Sequence, residues 1–358
     1  LVSEAAFTQY PQHVDVAIER PIFVTGLPRT GTTAVHRLLA ADPRHQGLQL
    51  WLAEFPQPRP PREAWSQNPV FQQMQEQFAK AHAADPEYTG LHFMTPDEVE
   101  ECWQLLRQSL HSVSYETLAH VPSYAQWLAG QDWTRSYQRH RKNLQLIGLN
   151  DTEKRWVLKN PSHLFALDAL MATYPNALVV QCHRPAETIM ASMCSLAQHT
   201  TAGWSNTFTG NVIGADSLET WSRGLRLFDA ERAKHDPAQF YDLDYGALVS
   251  DPVAAVADIY RHFGIELTDE ARAAASFSLG YSRGSWIDSA AAITCTSRTA
   301  PHSSAASSIR PRRGSTGSRA RRRPIGVSQS GSPARSGTTA PSSSSSHRMR
   351  WERDVSRW

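Results

Sequence analysis

Residues 23–39 read FVTGLPRTGTTAVHRLL, with Gly26 and Gly31 five positions apart and Thr32 and Thr33 directly after them. That is the spacing of a phosphate-binding loop. Placed after a strand and before a helix, such a loop offers backbone N–H groups and a helix N-terminus to an anion. The two glycines permit the tight turn and close approach of a ligand. Pro28 and Thr30 complete the loop, and Thr32 and Thr33 add hydroxyl donors. Arg29 adds a guanidinium that can fork onto phosphate or sulfate oxygens. A nucleotide hydrolase carries Lys where Thr32 stands. No apolar strand visibly ends in the Asp that would hold magnesium, so a kinase or NTPase is a weakened alternative.

A second cation lies 155 residues beyond Arg29, in ALVVQCHRPAETIMASMCSL. Arg184 falls at the end of an apolar strand, where open α/β sheets bind their ligands. Ser192, eight residues later, lies about two turns along the following helix. Arg184 and Ser192 can together hold one phosphate, although Ser192 alone reads as a small residue on a packed helix.

The elements around these residues alternate. IFVTG, RWVLK, ALVVQCHR and QFYDLDY read as strands. TTAVHRLLAADP, NPVFQQMQEQFAKAHAA, TPDEVEECWQLLRQSL, DWTRSYQRHRKNLQLIG, PSHLFALDALMATYP, PAETIMASMCSLAQ, SLETWSRGLRLFDAERAKH and ALVSDPVAAVADIYRHFGI read as helices. The pattern predicts a P-loop-type α/β domain over residues 1–276, a mainly parallel open sheet with helices on both faces.

Residues 277–358 differ in kind. They hold fourteen Arg, no Lys and three acids, a net +11 that leaves −9 for the rest against a total of +2. The Ser, Arg, Pro, Gly and Ala content predicts a disordered tail. Translation out of frame in a GC-rich gene fits that composition best. An inert tail and a nucleic-acid-binding tail are the other readings, and the latter lacks interleaved aromatics for base stacking. The 41% hydrophobic and 20% charged content is that of a soluble globular protein. No apolar run approaches eighteen residues, and no signal peptide is visible. Cys102, Cys182, Cys194 and Cys295 lack metal-ligand spacing and read as reduced thiols of a cytoplasmic protein. The first residue is Leu rather than Met, which suggests a start inside a longer chain.

Taken together, LPRTGTT (Leu27–Thr33) and the Arg184/Ser192 pair resemble the sulfotransferases that use 3′-phosphoadenosine 5′-phosphosulfate (PAPS), in particular the actinobacterial-type branch with an RTGTT loop. The likeness extends through WVLKNPSHLFALDAL and YGALVSDPVAAVADIYRHFG and spans about residues 21–276. It implies that the loop takes the 5′-phosphosulfate and that Arg184 and Ser192 take the 3′-phosphate. It also implies a metal-free, in-line transfer of a sulfuryl group to a hydroxyl or amine of a small-molecule, glycan or lipid acceptor. Two departures stand out. Ala247 replaces an acidic residue found in many members, and the C-terminal segment that closes over the nucleotide in relatives is not found.

The transfer needs a base for the acceptor's proton. Glu54, in LWLAEFPQP, is one candidate, since some sulfotransferases carry a catalytic Glu in that region; a solvated loop carboxylate is the plainer reading. His163, beside Lys159 in LKNPSHL, is the other, against a satisfied core His. Lys159 would help neutralise the transferring sulfate. Acceptor choice is expected within residues 51–150, where Trp51, Phe55, Trp65 and Trp103 can line a pocket or belong to the core, and where His92, Glu100 and Glu101 also fall. A non-catalytic anion or nucleic-acid binder acting through the basic tail, and a homodimer, are left open.

Overall fold

Among the described residues, five short strands carry the fold: β1 (Ile22–Gly26), β2 (His45–Gly47), β3 (Arg155–Lys159), β4 (Leu178–His183) and β5 (Phe240–Asp244). Their order is β2-β3-β1-β4-β5, and every pairing is parallel. The structure is a computed structural model and describes residues 2–86 and 94–279. By its contacts the chain divides into Leu1–Ile293 and Thr294–Trp358, and the second unit lies outside the described residues, as does His92.

A parallel sheet covered on both faces needs strands that are apolar on both faces, and β1 and β3 show this. Phe23 and Leu158 join Val179 of β4 in one core. Ile22, Val24 and Val157 join Leu178 and Val180 in the other. The first core is closed by helices Thr134–Ile147, Leu167–Thr173, Ala186–Thr200 and Gly210–Arg232, through Tyr137, Leu170, Ile189 and Phe228. The second is closed by helices Thr32–Ala40 and Pro252–His262. Val35, Leu38 and Leu39 of the loop helix are fully buried there. Each is worth about 1.5–3 kcal/mol of transfer free energy, which anchors the helix that starts at the anion loop. The α/β reading of the pattern is therefore what the chain builds.

β1 is central. The connection after β1 leads to one side of the sheet, toward β2, and the connection after β4 leads to the other, toward β5. The two loops part between β1 and β4, which creates a crevice at the strands' carboxyl ends.

Three expectations change. Residues 95–110 were expected to be one helix, but only Trp103–Leu106 is helical, followed by a 3₁₀ turn at Arg107–Ser109. The preceding backbone is spent elsewhere: Leu50 N–H donates to the Glu98 carbonyl at 3.2 Å, Glu100 N–H to the Leu48 carbonyl at 2.8 Å and Cys102 N–H to the Lys159 carbonyl at 2.9 Å. Residues 161–173 split into a 3₁₀ turn, Pro161–Phe165, and the helix Leu167–Thr173. Strand β2 has no apolar pattern to betray it; it pairs with β3, and Nη2 of Arg59 donates to its Gly47 carbonyl at 2.7 Å.

Candidate active site

The loop between β1 and its helix is strained in the way a tight anion cradle requires. Gly26 has φ +137° and Gly31 has φ +90°. A Cβ on Gly26 would sit 2.6 Å from the Cys182 carbonyl oxygen, and one on Gly31 would sit 2.9 Å from Cδ2 of Leu248. Arg29 also adopts a left-handed conformation, with φ +69°, at a cost of about 1–2 kcal/mol. No side chain caps the helix Thr32–Ala40, so its first N–H groups face the loop. The Thr30 hydroxyl donates inward to the Leu27 carbonyl at 2.6 Å, so Thr30 offers a ligand only its backbone N–H.

Arg29 and Arg184 meet across the β1–β4 crevice. Nε of Arg29 donates to the Ser192 hydroxyl at 3.0 Å, and Nη1 of Arg184 donates to the Arg29 carbonyl at 3.0 Å. The Arg184 guanidinium lies 4.1 Å from the Tyr245 ring centroid. Burial, and then the nearby positive charge of Arg184, lower the Arg29 pKa from its ordinary value. Two guanidinium groups drawn together in a half-buried crevice repel, and an anion between them relieves that repulsion. The sequence reading put Arg29 with the loop and paired Arg184 with Ser192; the structure brings the three together, with Ser192 bonded to Arg29 and Arg184 to the Arg29 backbone. The sequence reading had not singled out Tyr245 and Leu248, which pack on Gly31 and Arg184 from beyond β5; no local signal marks them.

On the other side of β1, Lys159 ends β3 with only 2% of its side chain exposed. Its Nζ donates to Oε1 of Glu101 at 2.6 Å and to the Thr33 hydroxyl at 3.3 Å. It therefore joins the loop to the irregular segment 94–102. Just beyond, Asn160 Nδ2, Ser162 Oγ and His163 Nε2 are buried without a protein hydrogen-bond partner. Such atoms are rare in folded proteins and mark a place for water or ligand.

The two expected bases fare differently. His163 is 1% exposed. Its Nδ1 faces the Tyr137 hydroxyl at 2.6 Å, and its ring meets Phe23 edge-on at 5.1 Å. Burial, with His140 nearby, holds its pKa well below the usual value. The geometry is that of a neutral core histidine, because the 3₁₀ turn after Lys159 rotates the ring beneath the sheet. Glu54 is partly exposed and accepts from Nη2 of Arg107 at 2.5 Å. Arg107 in turn covers the Trp103 ring at 4.7 Å. Of the aromatics considered for an acceptor pocket, Trp51 and Trp65 pack against one another and Phe71 in the core, while Phe55 is exposed. A separate cavity of about 580 Å³, lined by Trp133, Phe165, Arg223 and Leu227 among others, includes no residue of the loop.

Residues 21–269 match the family described as the Sulfotransferase family. The chain belongs to that family. Among solved structures it is similar to sulfotransferase STF1 from Mycobacterium tuberculosis H37Rv, with 73% identity and a TM-score of 0.75 over 77% of this chain and 76% of that one. It is also similar to STF9 from Mycobacterium avium, with 25% identity and a TM-score of 0.71 over 78% and 73% of the two chains. A curated relative, omega-hydroxy-beta-dihydromenaquinone-9 sulfotransferase Stf3 from Mycobacterium bovis, is 27% identical over 274 residues, which is 70% of this chain. The chain spans 64% of that relative's length. None of the described helices is long and apolar enough to cross a membrane.

Proposed function

We propose that the chain transfers a sulfuryl group from PAPS to a hydroxyl of an amphipathic, lipid-like acceptor. The observation that carries this reading is the meeting of Arg29, Arg184 and Ser192 over a glycine-strained loop at the β1–β4 crevice. The residues fit the donor. Loop N–H groups, the hydroxyls of Thr32 and Thr33, and Arg29 suit the 5′-phosphosulfate; Arg184 and Ser192 suit the 3′-phosphate. ATP offers no 3′-phosphate for the second pair and finds no Lys at Thr32.

In the transfer, the loop holds the leaving 5′-phosphate in line with the acceptor oxygen, and fixed donors stabilise the charge that develops on it. Lys159 supplies a further positive charge beside Thr33. The lipid-like acceptor is supported by the Stf3 relative, whose name states an ω-hydroxylated menaquinone derivative. On this chain, Phe55, Trp103 and the Glu54–Arg107 pair supply an amphipathic rim next to segment 94–102. Incubation with ³⁵S-labelled PAPS and an ω-hydroxylated short-chain dihydromenaquinone tests the reading. Label is expected in the organic phase, and labelling of aqueous acceptors alone would replace the lipid-like acceptor with a polar one.

A further inference from the structure

The transfer requires a base, and neither side chain singled out by the sequence is well placed to be one. His163 is sealed in the core with its ring between Tyr137 and Phe23. Glu54 is tied to Arg107 and is joined by no hydrogen bond to the loop or to Lys159 among the contacts described. A third group meets the requirement. Resting on the sulfotransferase reading above, we propose that Glu101 is the general base of the transfer, held in place by Lys159.

Three observations converge on it. The first is position. The Glu101 carboxylate is one hydrogen bond from Lys159, which is one hydrogen bond from Thr33 of the loop. Lys159 also lies in register with Val24 of β1, two residues before the loop's first glycine. The second is access. The Glu101 side chain keeps 21% of its surface exposed while its lysine partner keeps 2%, so the carboxylate is the face of the pair that an incoming acceptor meets. The third is rigidity. Flanking backbone is pinned on both sides, by Glu100 N–H to the Leu48 carbonyl and Cys102 N–H to the Lys159 carbonyl, and Glu101 N–H donates to Oε1 of Glu100 at 3.0 Å. A base must be held within hydrogen-bond reach of the proton it takes, and this anchoring at the ends of β2 and β3 provides it. The same backbone bonds are what break the expected helix over 95–110.

The step balances as follows. The acceptor oxygen forms a bond to sulfur while the bond from sulfur to the 5′-phosphate oxygen breaks, and that oxygen keeps the electron pair. The acceptor's hydroxyl proton passes to the Glu101 carboxylate. Lys159, freed from one oxygen of Glu101, faces the sulfuryl oxygens beside Thr33. Trp103, two residues on, continues the same strip of chain to Arg107, whose side chain covers the Trp103 ring and reaches Glu54 of helix Leu50–Glu54, so acceptor binding and proton removal would share one segment.

The test uses wild type, Glu101→Gln, Glu101→Asp and Glu54→Gln. Each is assayed with PAPS and an ω-hydroxylated short-chain dihydromenaquinone, and again with water alone as acceptor, across pH 5–9. Affinity for adenosine 3′,5′-bisphosphate is measured in parallel by calorimetry. For Glu101→Gln, kcat is expected to fall by about 100-fold or more, with the acid limb of the pH–rate profile lost and the bisphosphate Kd within about twofold of wild type. Glu101→Asp retains the acid limb, and so does Glu54→Gln, whatever its effect on acceptor KM. The proposal is overturned if Glu101→Gln keeps the rate and the limb, if the limb disappears with Glu54→Gln instead, or if bisphosphate binding collapses together with the rate. A wild type that binds the bisphosphate but turns the donor over with neither alcohol nor water also overturns it. Failure of wild type to bind the bisphosphate would instead remove the sulfotransferase reading beneath it.

Discussion

The two sides of the crevice are built on different principles. The side proposed to take the donor is compact: one loop, residues 26–33, and one strand–helix joint carrying Arg184 and Ser192, brought together because β1 and β4 are adjacent. The acceptor side has no such unit. Leu48, Glu98, Glu100, Cys102 and Lys159 come from three stretches of chain, knit by backbone hydrogen bonds between residues far apart in sequence. A phosphate is small and always presents the same oxygens, so a short cradle of N–H groups and a cation suffices for it. An acceptor with an extended apolar part needs a surface, and surfaces are assembled by tertiary packing.

The contrast can be broken from either side. The largest expected effect falls on the frame shared by both. Burial, with the charge of Lys159 adding to it, lowers the His36 pKa to about 3, and burial lowers that of His140 to about 3. Both are neutral in the fold, whereas in the unfolded chain they titrate near 6.5, so between these values the unfolded state binds the extra proton. Stability is complete above pH 7 and falls as pH drops below 6.5. The loss is about 2 kcal/mol for each histidine by pH 5, read as a lower urea midpoint at pH 5 than at pH 7. His36→Gln would remove its share of that dependence.

Next is Gly31→Ala. It combines a left-handed φ with a Cβ pressed on Leu248 and is expected to cost about 3 kcal/mol of stability. Chemical denaturation measures it, with bisphosphate binding lost in the folded fraction. If Arg184 holds the 3′-phosphate as proposed, Arg184→Ala is expected to weaken adenosine 3′,5′-bisphosphate by about 100-fold. ATP affinity should hardly change, which calorimetry with both ligands would show. The smallest effect belongs to the acceptor side. Arg107→Ala frees Glu54 and bares the Trp103 ring; it should cost under about 1 kcal/mol of stability, since the pair is partly exposed. Its bisphosphate Kd should stay within about twofold, with a raised KM for the dihydromenaquinone alcohol as its signature. Loss of bisphosphate affinity in Arg107→Ala would erase the division between the sides.

The same division decides what could be read from the sequence. β1, β3 and β4 announce themselves because buried parallel strands are continuous apolar runs, and the loop announces itself because its chemistry is contiguous; β5, an edge strand with a mixed FYDLD pattern, shows itself through its aromatic start. HQG of β2 carries no such pattern. The helix expected over 95–110 fails because TPDEVEECW pairs its backbone with Leu48, Leu50, Trp51 and Lys159 instead of with itself. At the site, two local spacings singled out Arg29, Arg184 and Ser192. His163 was misleading, since its closeness to Lys159 in the chain says nothing about which face of the sheet its ring takes. Glu101 was visible only as one acid among several, because its partner is 58 residues away.

The most direct measurement is calorimetric titration of the protein with adenosine 3′,5′-bisphosphate beside ATP. With both phosphate sites formed at the β1–β4 crevice, the bisphosphate should bind at least about tenfold more tightly than ATP, a difference of about 1.4 kcal/mol. Arg184→Ala should abolish that preference. Equal affinities, or tighter binding of ATP, would contradict the assignment of Arg184 and Ser192 to a 3′-phosphate and with it the donor on which the account rests.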